Sequence, residues 1–197
     1  MNEGLRRVLF RQASIGATRV VVTGPQRSGT RIAARILAEE LGFAWLPEEV
    51  VGVDDVRALK RLLAVQDRFV IQAPGLSHMC HRLPEIVRGE CGWSSTVLVV
   101  WMDRPPAEIR ASERRVGWTR RGHHKAELRK YQRTPEVAGF ASKWRHICEV
   151  KRAAWDGVQK VLLRSDGIVL RYRDLETHRL FVPRSGRGAF RWNQTEE

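Results

Sequence analysis

From residue 24 to residue 31 the chain reads Gly-Pro-Gln-Arg-Ser-Gly-Thr-Arg. Glycines let a backbone curl without Cβ clashes. Where such a curl opens a helix, several N–H groups converge on one point and the helix dipole adds positive potential, so the turn suits an anion. A hydroxyl at the helix start, here Thr30, can reach a phosphate or a bound Mg²⁺. Gly24 and Gly29 have the separation of a standard phosphate loop, but Thr30 stands where that loop carries lysine. Arg27 and Arg31 are the neighbouring cations able to replace the charge. The expected binding set is therefore Gly24, Pro25, Gln26, Arg27, Ser28, Gly29, Thr30 and Arg31. The alternative is a strand-to-helix turn with no ligand.

Other groups could supply acids, bases and metal ligands. Asp103 ends the apolar run TVLVVWM, and ligands collect at the carboxyl ends of strands in open α/β sheets. It is the expected Mg²⁺ ligand together with Thr30; its other role would be to cap the helix that follows. Glu48, Glu49, Asp54 and Asp55 follow the first amphipathic helix and offer a general base, or a solvated turn with Asp54 as a cap. His78 and His81 are further base candidates. His78, Cys80, His81 and Cys91 match no common structural zinc spacing.

These groups need elements to hold them. RVVVT, Arg19–Thr23, is a compact β-branched run suited to a buried strand. Ile32, Ile36, Leu37 and Leu41 recur at helical spacing behind the glycine turn, and Gly42 ends that helix. A second helix is expected from about Asp54, with Val56, Leu59, Leu62 and Leu63 on its inner side. Strands are expected at Arg68–Gln72, Thr96–Met102 and Ile168–Tyr172. The third of the four strands is apolar on both faces, as a central parallel strand should be. Pro105 and Pro106 then open a helix. A long helix is expected from Pro135 to about Gln159, with Val137, Phe140, Trp144, Ile147, Ala154 and Val158 inward. Residues 1–18 form a lead-in with a short helical piece. Alternating strands and helices define an α/β chain with a parallel sheet flanked by helices. One domain is expected over residues 1–182, with a basic tail at 183–197.

The chain has 197 residues, of which 43% are hydrophobic, enough for a core without disulfides. No apolar run approaches the roughly 20 residues of a membrane span. Three cysteines are a poor disulfide framework, and the first ten residues hold no apolar run of signal-peptide length. A cytoplasmic location is expected. Lys and Arg total 35 against 22 Asp and Glu, a net charge of +13, which suits a polyanionic partner. Residues 104–152 alone hold 14 Lys/Arg and 5 Asp/Glu. Arg114, Arg115, Arg120 and Arg121 in that stretch could surround a moving phosphoryl group from a closing lid. Trp118, His123, His124 and Tyr131 are interleaved with the charge, as in surfaces that combine backbone contacts with base stacking. A solvated helical face is the other reading.

Three motifs carry a resemblance, spread over roughly residues 19–176. Arg27-Ser28-Gly29-Thr30 resembles the phosphate loop of P-loop sulfotransferases. Arg104, Pro106 and Ser112 reproduce the Arg-x-Pro and later Ser with which that family binds the 3′-phosphate of its phosphoadenosyl sulfate (PAPS) donor. Leu170-Arg171-Tyr172-Arg173-Asp174-Leu175 is similar to a strand end common in bacterial members. The chain departs from the family in its length and in Gln72, which stands where a catalytic lysine would. The same landmarks resemble small P-loop kinases of the thymidylate-kinase type, through Asp103-Arg104, Pro105-Pro106 and the Arg-bearing stretch RRVGWTRRGHHK. They also resemble bacteriophage kinases that phosphorylate hydroxymethyluracil in DNA, which would place the chain in a host cytoplasm.

The kinase resemblance implies a P-loop fold, ATP with Mg²⁺ as donor system, and DNA as acceptor. Arg27, Asp103, Arg114, Arg115 and Arg120 would be catalytic, with Arg104 and Ser112 added to the nucleotide-binding set. Two alternatives stay open: a PAPS-dependent sulfotransferase, and a nucleotide-responsive nucleic-acid-binding protein without turnover.

Overall fold

The computed structural model describes residues 2–51, 56–117, 121–141 and 146–181. Five strands form one sheet: β1 (Arg19–Thr23), β2 (Ala44–Leu46), β3 (Phe69–Gln72), β4 (Val97–Asp103) and β5 (Gly167–Arg171). Their order is β2-β3-β1-β4-β5, and every pairing is parallel. The expected α/β architecture is observed.

Both faces of the sheet are apolar because helices cover both. Val20, Val22, Leu98, Val100 and Met102 face one way, against Leu5 and Val8 of α1 (Glu3–Ile15) and Ala34, Ile36 and Leu37 of α2 (Thr30–Leu41). Val21, Phe69, Ile71, Val99 and Trp101 face the other way. Beyond the four-residue α3 (Glu48–Val51), that second face is covered by α4 (Val56–Val65), α5 (Leu83–Cys91) and, later in the chain, a long helix. On α4, Leu59, Leu62 and Leu63 are buried, the i, i+3, i+4 spacing of one helical face. A 3₁₀ segment, Pro74–Arg82, links β3 to α5.

After β4 come α6 (Pro106–Arg115), α7 (Arg121–Arg133), α8 (Pro135–Ala141) and α9 (Ile147–Ser165). Tyr131, Val137, Ile147, Val150 and Ala154 make a third, smaller core that joins the last three. Trp155 of α9 stacks on Trp101 of β4, with ring centroids 4.6 Å apart and planes 6° from parallel.

Three sequence expectations change. The lead-in is a full helix: the Asn2 side chain accepts from the Gly4 N–H at 2.8 Å, and Gly16 at φ 62° ends it. The single helix expected over 135–159 is two, because His146 adopts extended backbone and its ring accepts from the Cys148 N–H, starting α9 afresh. The fifth strand, β2, is a three-residue edge strand, too short to show a period of two. Asp54, Asp55, Trp118, Arg120, Trp144 and the tail 183–197 lie outside the described residues. Among the described residues no helix is long and apolar enough to cross a membrane.

From β1 the chain passes to β2 and β3 on one side, then crosses to β4 and β5 on the other. That reversal of direction opens a crevice at the carboxyl ends of the strands. The glycine turn follows β1 and lies at its mouth.

Candidate functional site

Gly24, at φ 135°, passes so close to β4 that a Cβ there would sit 2.9 Å from the Met102 carbonyl oxygen. Gly29, at φ 98°, lies under Tyr172, whose ring would be 2.6 Å from an added Cβ. Between them Arg27 adopts φ 66°, the one positive φ at a non-glycine among the described residues. A left-handed residue with a Cβ costs roughly 1–2 kcal/mol, so other contacts must hold it. The Ser28 N–H and hydroxyl both donate to the Pro25 carbonyl, at 3.2 and 2.6 Å. Arg104 donates to the Arg27 carbonyl at 3.0 Å. Thr30 then begins α2, buried at 4% exposure.

Arg104 follows β4 directly, and Pro105 sets the start of α6. Ile109, Ser112 and Glu113 form the buried face of that helix, so Ser112 returns towards the loop. Arg27 Nε donates to Ser112 Oγ at 3.3 Å. The Arg104 guanidinium lies 3.9 Å from the centroid of the Tyr172 ring and pairs with Glu108 at 3.0 Å. The structure therefore brings Arg27 together with Arg104 and Ser112, which follow it by 77 and 85 positions. Two guanidinium groups, a hydroxyl and the loop amides make a site suited to phosphate oxygens.

Arg31 points to a different partner set. It donates to Gln72 at the end of β3 at 3.4 Å and forms an ion pair with Glu49. Asp103 pairs with Arg152 of α9 at 3.2 Å. A cleft beside the loop is lined by Pro25, Asp103, Arg104, Ile109, Cys148 and Arg152. Arg114 and Arg115 are exposed in the last turn of α6, and Arg120 lies outside the described residues.

Sequence reasoning missed the residue that approaches the loop from behind. Lys151 of α9 is fully buried. It donates to the Gln26 side-chain carbonyl, lies 3.5 Å from the Pro74 carbonyl, and pairs with Glu127 of α7 at 2.8 Å. Burial pushes the Glu127 carboxyl up, but Lys151, Lys130 and Gln26 outweigh it and bring its pKa down to about 2. A signal was present: Lys151 sits four after Ile147 and three before Ala154, on the apolar stripe of its helix. Stripe periodicity flags a polar residue there but cannot say what it touches.

The same side of the loop holds the base candidates. The Glu48 carboxylate accepts from the Gly75 N–H, and its pKa is raised by burial, against the pull of Lys151. His78 donates from Nδ1 to the Gly75 carbonyl at 3.0 Å, which leaves the Nε2 lone pair free of that bond. Its ring meets Tyr131 edge-on at 5.9 Å, and the Tyr131 hydroxyl donates to Ser77 at 2.8 Å. His81 is 3.8 Å from Glu136. Among the described residues no group of three His, Cys, Asp or Glu is arranged to hold a metal ion.

The basic stretch is less exposed than its charge count suggests. Arg104, Arg110, Lys130, Lys151 and Arg152 each pair with a carboxylate. Lys125, Arg129 and Arg133 remain exposed on α7, at i, i+4, i+8. No family model and no curated protein matches the chain.

Proposed function

We propose that the protein is a P-loop phosphotransferase that moves the γ-phosphoryl group of ATP to a hydroxyl on a nucleic-acid base, the hydroxymethyl of a modified uracil in phage DNA being the acceptor in view. The observation that carries this reading is the strained loop at the end of the central strand, with Arg27 and Arg104 converging on it. In the transfer, the acceptor oxygen bonds to the γ-phosphorus, the bond to the bridging oxygen breaks, and ADP leaves. The hydroxyl proton passes to Glu48, whose raised pKa suits a proton acceptor. Glu49 and Asp103 are less suited, since each holds an arginine.

Mg²⁺ in such sites is bound by one or two carboxylates plus donor phosphates, and would neutralise charge developing on them. Asp103 fits as that carboxylate, with Arg152 as the cation it would exchange. The Thr30 hydroxyl at the start of α2 would be the second protein ligand. Lys125, Arg129 and Arg133 would follow the acceptor's phosphates.

One observation favours a second reading. Arg104 and Ser112, which the sulfotransferase resemblance assigns to a 3′-phosphate, both contact Arg27 of the loop. Sulfuryl transfer from PAPS is therefore the competing chemistry. Pure protein is offered γ-labelled ATP with Mg²⁺, or sulfate-labelled PAPS, each with hydroxymethylated and ordinary DNA. Label from ATP on hydroxymethylated DNA alone is expected. Label from PAPS only sinks the phosphoryl reading. DNA binding with no transfer from either donor identifies a binding protein. Arg27→Ala should weaken donor binding by about tenfold or more, read by calorimetry, as loss of a charge-assisted contact implies.

A further inference from the structure

The phosphate loop lacks its own lysine, yet a lysine reaches it from elsewhere in the fold. Lys151 lies 125 residues from Gln26 in sequence and has no exposed surface. Burying an ammonium alone would cost several kcal/mol, so its partners matter. They are the Glu127 carboxylate, the Pro74 carbonyl and the Gln26 side chain. The first only neutralises it. The other two belong to the turns after β1 and β3, which form one wall of the crevice.

Replacing a buried ion pair by apolar groups of similar volume is often neutral or stabilising. Stability therefore does not account for a lysine at this position; its contact with the loop does. Gln26 immediately precedes Arg27, the residue held at φ 66°. Arg104 grips Arg27 on its carbonyl side, and Lys151 grips the residue before it. Two tertiary pins on consecutive residues over-determine a strained backbone, as such strain requires.

We propose that Lys151 is a positioning residue that holds the phosphate loop in its donor-binding form through Gln26, with Glu127 keeping the ammonium in place from α7. This rests on the donor-site reading given above. Being buried and paired, Lys151 acts on the loop through the Gln26 side chain rather than on the donor itself. The arrangement also ties α7, which bears the exposed basic stripe, to the loop.

The test compares the full-length protein with Lys151→Met and with Lys151→Met/Glu127→Leu. The double variant removes both charges, so it should fold even if the single one does not. Three quantities are read: the urea midpoint, hydrogen exchange of the Ser28, Gly29 and Thr30 amides, and affinity for ATP and for PAPS. In the double variant the midpoint should return to within the wild-type range. Loop amides should still exchange about tenfold faster, and nucleotide affinity should stay about tenfold weaker. Recovery of loop protection together with the midpoint would reduce Lys151 to half of an ordinary ion pair and overturn the proposal. If the wild type binds neither nucleotide, the donor-site reading fails on its own, and the exchange of the loop amides still decides the role of Lys151.

Discussion

Burial lowers the pKa of His78 to about 4, against 6.5 for a free imidazole, although its bond to the Gly75 carbonyl pulls the other way. Between those two values the unfolded chain binds a proton that the folded one refuses. Stability therefore falls as pH drops from about 6.5 towards 4. Burial shifts His81 and His146 in the same direction. Glu127 adds a later loss: its carboxyl contributes stability above 4.5 that disappears as pH approaches 2. The urea midpoint of the wild type should decline steadily between pH 7 and pH 4, and His78→Gln should make the decline shallower. A midpoint that does not move over that range would mean these imidazoles titrate freely in the fold.

α9 sets two things at once. Trp155 stacks on Trp101, in the strand that ends at Asp103, and Lys151 lies one helical turn earlier on the same side. The stack thus places the ammonium at the loop. Trp155→Ala should cost about 3–5 kcal/mol in unfolding free energy, with the loop amides losing protection before global unfolding. Trp155→Phe should retain most of both. Equal effects of the two substitutions, by urea denaturation and exchange, would show that the ring contact is not what positions the helix. α6 is a simpler case. Its first turn is set by Pro105 and Pro106, and its period then returns Ser112 to Arg27.

At the scale of the molecule, the +13 charge is not one uniform patch. Several cations of the 104–152 stretch are neutralised by nearby carboxylates, and the exposed remainder includes the stripe Lys125, Arg129 and Arg133 on α7. Each cation that contacts a phosphate releases counterions, so duplex affinity falls with salt by a slope of about 0.9 per contact. Replacing the three by Ala should flatten the slope of log affinity against log salt by about two to three. A slope unchanged from wild type would mean that nucleic acid binds another face.

The α/β class, the four longer strands and the place of the glycine loop were legible in the sequence. Each depends on local periodicity or on turn chemistry, and neighbours in sequence carry that information. Gly24 and Gly29 were legible for the same reason, since a positive φ favours glycine; Arg27, the exception between them, was not. The spacing of Arg104 and Ser112 was legible because only eight positions separate them, from the strand end into the helix that follows it. Only the tertiary structure decided that Arg31 is engaged by Gln72 and Glu49, that Asp103 holds Arg152, and that the buried Lys151 stands behind the loop. Those pairings join residues 18 to 125 positions apart. Which charge neutralises which is settled by how α9 packs on the sheet and α7 on α9, and a side chain's own neighbours in sequence hold no record of that packing.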